Sequence, residues 1–162
     1  MAKQIDPYLQ SHRWLINLVR YLAAIAVLNL LWEIIHLPLY TLWENGSQSE
    51  IIFSVIHCTG GDVVIALCAI TLALIWSGYS EWPVKRARRV FIVTLALGLA
   101  YTGFSEWLNI EIRRSWAYSD LMPIIPFLNM GLSPALQWII VPWIAYYWAI
   151  GPNWVRAKTT AK

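Results

Sequence analysis

The sequence predicts an all-α, polytopic integral membrane protein: a four-helix bundle with both termini cytoplasmic and the outer link between its third and fourth helices capping it. Hydrophobic residues make up 59% of 162 positions and charged residues 13%, where ordinary soluble domains are about half apolar and a quarter charged. Mean hydropathy is +0.53. Lys and Arg concentrate in alternate links, which marks one side of the membrane.

The predicted spans are 14–43, 51–76, 90–110 and 133–149, each at or above the roughly 17 residues with which a helix can cross a hydrocarbon core. The first two exceed that need, so they tilt or project beyond it. The apolar runs are continuous and lack the period-2 alternation of a barrel wall. The links are too short to fold separately, so 1–162 forms a single transmembrane domain. Polar residues fill 1–13 and no small-residue cleavage site closes the first run, so no cleavable signal peptide is expected.

Lys3, Arg13 and Arg20 precede or enter the first span, Lys85, Arg86, Arg88 and Arg89 occupy the link after the second, and Arg156, Lys158 and Lys162 form the tail. All fall on one side, which the positive-inside rule makes cytoplasmic in a cell inner membrane. The run "KRARR" therefore reads as a stop-transfer and headgroup contact, and no nucleic-acid partner is expected. Of the 11 Trp, Trp14, Trp43, Trp76, Trp82, Trp107, Trp116 and Trp154 fall near the ends of runs, where indole favours the membrane interface. Cys58 and Cys68 lie on one predicted helix with no Cys-x-x-Cys, which disfavours thiol oxidoreduction.

Polar residues inside the spans gather toward the outer face, Arg20 excepted. Asn29, Glu33, His36 and Tyr40 follow steps of four, three and four on the first span, and Thr102, Glu106, Asn109 and Arg113 repeat the pattern on the third. His57 and Asp62 in "HCTGGD" lie at comparable depth on the second span, and Gln137 starts the fourth. His36 and His57 are almost equally far from a link centred near Gly46, so the first hairpin sets them nearly level. An ideal helix points His57 and Asp62 apart, and a loosened "TGG" turn is the conjecture that brings both inward. The stripes are expected to face a shared pocket, because lipid satisfies none of their hydrogen bonds. The apolar stretch 121–130, broken by Pro123 and Pro126, is expected to dip back and lid that pocket.

The segments "WEIIHLPLY", "HCTGGD", "EWLNIEIRRSWAYSDLMP" and "GLSPALQW" resemble those of small four-span bacterial inner-membrane proteins. The resemblance covers most of the chain and implies topology; it implies no activity and carries over no functional residue.

The expected site comprises Asn29, Glu33, His36, His57, Asp62, Glu106, Asn109 and Gln137. Glu33, His36 and His57 form a carboxylate and imidazole set suited to a divalent ion. Arg113, Arg114 and Tyr118 at the mouth suit a phosphate or carboxylate. Together they point to a metal ion or a polar lipid headgroup, with lipid modification as the enzymatic variant, in which a metal-bound water attacks. Three alternatives stand beside this. The level His pair invites haem b, the stripes are interhelical glue, or the chain is an accessory subunit whose Gly98, Ala100 and Gly103 strip packs on partner helices or on a second copy. ATPase, serine-triad and HExxH signatures are missing from the sequence.

Overall fold

Pro38 interrupts the first apolar run, since it lacks an N–H and its ring collides with the carbonyl four residues earlier. The structure, a computed structural model, describes residues 7–79 and 82–152, with side chains from residue 13. Helix α1 (Pro7–His36) stops at that proline, and a tight turn, Leu37–Leu39, follows. The span expected over 14–43 is thus shorter, and Trp43 belongs to the single-turn helix α2 (Leu42–Asn45). Lys3, Trp154, Arg156, Lys158, Lys162 and both chain ends lie outside the described residues.

Helix α3 (Gln48–Ser77) starts on a capping box: the Ser47 N–H donates to Glu50 at 2.8 Å, and the Glu50 N–H donates to Ser47 Oγ at 3.4 Å. It runs unbroken through Gly60 and Gly61, so the conjectured loosening at "TGG" does not occur. Helix α4 (Ala87–Trp107) continues into a π turn, Leu108–Ile112. A hairpin, β1 (Ile124–Ile125) with β2 (Met130–Gly131), leads into helix α5 (Leu132–Ile150).

Among the described residues three helical segments are long and apolar enough to cross a membrane: Arg13–Leu39, Gln48–Ser77 and Ala87–Ile112. Helix α5, 19 residues long, is not one of these three and carries Gln137 and Pro142 within it. Helix α1 packs against α3 and α5, and α4 against the same two, which closes a ring. The ring turns apolar side chains outward: Ile35 is 77% exposed and Phe53 68%, whereas Asn29 is 2% and Gln137 3% exposed. Such a distribution is costly in water and suits lipid, because the hydrogen-bonding groups satisfy one another inside.

At one end of the ring, near the 85–89 link, a buried aromatic core forms. The Trp82 indole donates to the Tyr146 hydroxyl at 2.6 Å, that hydroxyl donates to the Ala87 carbonyl at 2.7 Å, and Tyr21 meets Tyr146 edge-on at 6.0 Å. Trp82 is therefore a core residue, and the expectation of an interfacial belt fails for it, since a partner for its N–H is already buried there. Arg20, the exception among the intramembrane polar groups, lies over the Trp148 ring at 4.9 Å and donates to the Trp148 carbonyl at 3.2 Å.

The opposite end carries the other two links, which are tied together. The Thr41 N–H donates to the Ala117 carbonyl and the Ser119 N–H to the Leu39 carbonyl, both at 3.0 Å, around a Tyr40–Tyr118 bridge. The hairpin 124–131 pairs Ile124 with Gly131 and Ile125 with Met130 and projects Phe127, which is fully exposed, at its tip. Phe127 and Asn129 turn the chain back with φ of 70° and 49°, left-handed backbone that is unusual for a bulky residue.

Candidate polar cavity

At the linked end the four long helices enclose a cavity of about 300 Å³. Helix α1 contributes its last turn, α3 its first half, α4 its final turns and α5 its start, so alternating chain direction brings residues distant in sequence to one depth. The roof is formed by Leu37, Tyr40, Leu42, Arg113 and Trp116. No residue of 121–130 lines the cavity. The expected lid is thus replaced by the 37–42 and 113–116 segments, because pairing of 39–41 with 117–119 holds that backbone across the ring end.

Gln137 is the hub. Its amide nitrogen lies 2.9 Å from each of three oxygens, on Asn29, Glu33 and Asp62, which joins α5 to α1 and α3. The other oxygen of Glu33 meets His36 Nε2 at 3.1 Å, and His36 Nδ1 meets Ser133 Oγ at 3.1 Å. The Trp32 indole donates to the same Ser133 oxygen at 3.2 Å. Directions close if Trp32 donates to Ser133, Ser133 to His36 Nδ1, and His36 Nε2–H to Glu33; the tautomer is assigned from these partners. Tyr40, beyond the helix end, still stacks edge-on against His36 at 5.2 Å.

Glu106 approaches from α4, 7% exposed, and accepts from the Tyr118 hydroxyl, which in turn accepts from the Gly131 N–H at 2.8 Å. Burial, and then the bond to Glu106, hold the Tyr118 phenol above its ordinary range. The π turn that follows places Asn109 against its own helix, donating to the Ser105 carbonyl at 2.8 Å, and brings Arg113 to the cavity mouth. Such turns recur at functional sites. Arg114, with φ of 53°, is exposed and outside the lining.

The sequence-derived set is therefore brought together unevenly. Glu33, His36, Asp62, Glu106 and Gln137 line one cavity, with Asn29 bonded behind its wall. His57 also lines it but is exposed and stacks on Phe53 at 5.4 Å. The expected Glu33, His36 and His57 ligand set does not close: among the described residues no group of three His, Cys, Asp or Glu side chains converges as a metal site. The reason is rotational, since a straight α3 turns Asp62 toward Gln137 and leaves His57 on the outer rim. Both ring nitrogens of His36 are engaged by protein partners.

Sequence reasoning missed Ser133, Thr102's burial and Trp116's role as roof. Ser133 begins α5 four residues before Gln137, a spacing that places both on one face and was legible in "SPALQ". Sequence reasoning also missed a flank groove. A second, shallower groove of about 400 Å³ runs down the flank between α3 and α4 along Ile56, Gly60 and Val64. It shares His57, Gly61, Ile65 and Tyr101 with the cavity. Small residues open the wall there: an added Cβ at Gly60 or Gly61 would meet nothing within 4 Å. Gly98, by contrast, packs directly under the Trp138 ring within this chain, so it is not free for a partner helix as the accessory reading expected. Comparison of the chain with protein-family models, curated proteins and solved structures gives no match.

Proposed function

We propose that the chain is a four-span inner-membrane protein with both termini cytoplasmic, and that its outward-facing cavity binds the polar headgroup of an outer-leaflet lipid. The observation that carries this is the adjacency of a polar cavity and an apolar flank groove, which share His57, Gly61, Ile65 and Tyr101 as walls: a headgroup fits the first, and an acyl chain lying along the flank fits the second. A water-borne solute would need no such groove. Pockets for small ligands combine apolar walls with a few placed polar groups, and this cavity does the same, with Ile65, Tyr101 and Trp138 beside Gln137 and the carboxyls.

Orientation rests on the basic residues of the 85–89 link. Fusion of a cytoplasm-active reporter at Arg89 should give activity and fusion at Gly46 should not; the reverse result would place the cavity inside. The binding reading is tested by Gly61→Leu. Open space around Gly61 accepts the larger side chain, and removing a mid-helix glycine favours the helix by about 1 kcal/mol. The purified variant should match or exceed the parent in thermal stability while losing lipid that co-purifies with the parent. Lipid retained at parental levels would overturn the reading.

A divalent metal is the second reading, and the specific observation in its favour is the adjacent Glu33–His36 pair at 3.1 Å. Elemental analysis of the purified protein separates the two, since a headgroup site carries no stoichiometric metal. Haem b stands lower, because His36 would have to release Ser133 or Glu33 to ligate iron.

A further inference from the structure

We infer that the group taken by the cavity is a primary ammonium, so that the bound molecule is an amine-headed glycerophospholipid; this rests on the lipid-headgroup reading and deepens it. The argument is a count of hydrogens. Gln137 offers two amide hydrogens to three oxygens on Asn29, Glu33 and Asp62, all at 2.9 Å. Glu106 adds a third carboxyl on the facing helix. Trp138 donates one further hydrogen to Asp62, His36 one to Glu33 and Tyr118 one to Glu106, so five hydrogens in all serve the seven oxygens of Asn29, Glu33, Asp62 and Glu106.

Thr102 is an independent pointer to a ligand. It lines the cavity one turn before Glu106, is 6% exposed, and its hydroxyl has no hydrogen-bond partner. A buried polar group left in this way is unfavourable unless something completes it. An ammonium supplies three N–H donors and no acceptor, which matches Thr102, Glu106 and the under-supplied oxygens around Gln137. At the mouth the chemistry reverses. Arg113 and the buried indole N–H of Trp116, which also has no partner, are donors positioned where the headgroup's phosphate would follow. Cation deep and anion shallow is the polarity of a phosphoethanolamine group. A glycerol headgroup would bring as many acceptors as donors, and a trimethylammonium would bring no N–H.

Full-length protein stripped of lipid in detergent would be mixed with phosphatidylethanolamine, phosphatidylcholine or phosphatidylglycerol of matched chains, or with water-soluble glycerophosphoethanolamine. Bound species would be counted by native mass spectrometry. Phosphatidylethanolamine should bind at least about tenfold more tightly than phosphatidylglycerol, and Thr102→Val and Glu106→Gln should each shrink that ratio. Thr102→Val keeps the fold testable, because it removes a hydroxyl that no protein group uses. If phosphatidylglycerol binds as well as or better than phosphatidylethanolamine, the ammonium assignment falls while the headgroup reading stands. If only glycerophosphoethanolamine binds, the ammonium assignment stands and the lipid reading falls. If nothing binds, both are wrong.

Discussion

Replacing Gln137 with Leu is expected to cost about 3 kcal/mol of stability, the largest effect of any single change at this site. Gln137 is 3% exposed and one amide joins oxygens on α1 and α3 to α5. Interhelical hydrogen bonds within membranes contribute roughly 0.6 to 1.7 kcal/mol each. The loss is larger than one such bond because the oxygens of Asn29 and Glu33 that Gln137 served stay behind, buried, while Asp62 keeps only its bond from Trp138. Unfolding of the purified protein in mixed detergent micelles measures it directly. Stability within about 0.5 kcal/mol of the parent would mean that Asn29, Glu33 and Asp62 are satisfied by something other than Gln137, and the hub assignment would be withdrawn. Asn29→Leu removes one acceptor and leaves Gln137 with two oxygens for two hydrogens, so it should cost far less.

Gly98→Ala is expected to be the most damaging single methyl in the protein. A Cβ at that position would lie 2.2 Å and 2.4 Å from two carbons of the Trp138 ring, well inside contact distance. The indole is 3% exposed and wedged between α4 and α5, so neither it nor the backbone can yield cheaply. Overpacking of this kind costs about 1 to 3 kcal/mol, and an approach of 2.2 Å takes the upper end of that range, so a net loss of about 2 kcal/mol remains after the favourable helix propensity of Ala offsets about 1. Because Trp138 and Gln137 are neighbours that both line the cavity, ligand binding should fall with stability. Gly61→Leu is the matching control: a larger side chain in a helix of the same bundle, placed where nothing stands in its way. Equal stability of Gly98→Ala and the parent would show that α4 and α5 are not in contact at Trp138.

The two helical stripes were readable because an α-helix repeats every 3.6 residues regardless of context. Asn29, Glu33 and His36 on one helix and Thr102 and Glu106 on another do face the same interior. His57 lines the same cavity but stays exposed at its rim, for a reason that lies outside periodicity. Matching its depth with His36 says nothing about rotation of α3, and rotation is set by whichever of Asp62 and His57 finds a buried partner. Gln137 is that partner, 75 residues from Asp62. The lid failed similarly. The apolar character of 121–130 is real, but backbone pairing between 39–41 and 117–119 occupies the position over the cavity.

Composition and local pattern by themselves determined the solvent, the helical class, the approximate span ends near Gln48, Ser77 and Ala87, and the end of the bundle at which polar groups collect. Those properties follow from transfer energies and helical repeat, which act residue by residue. Only the tertiary structure decided that Trp82 is core, that Gly98 serves Trp138, that three oxygens share one amide, and that a groove between α3 and α4 shares walls with the cavity. Each of these depends on a contact between segments far apart in the chain, and such contacts are fixed by shape and hydrogen-bond matching between helices, which no local window of sequence contains.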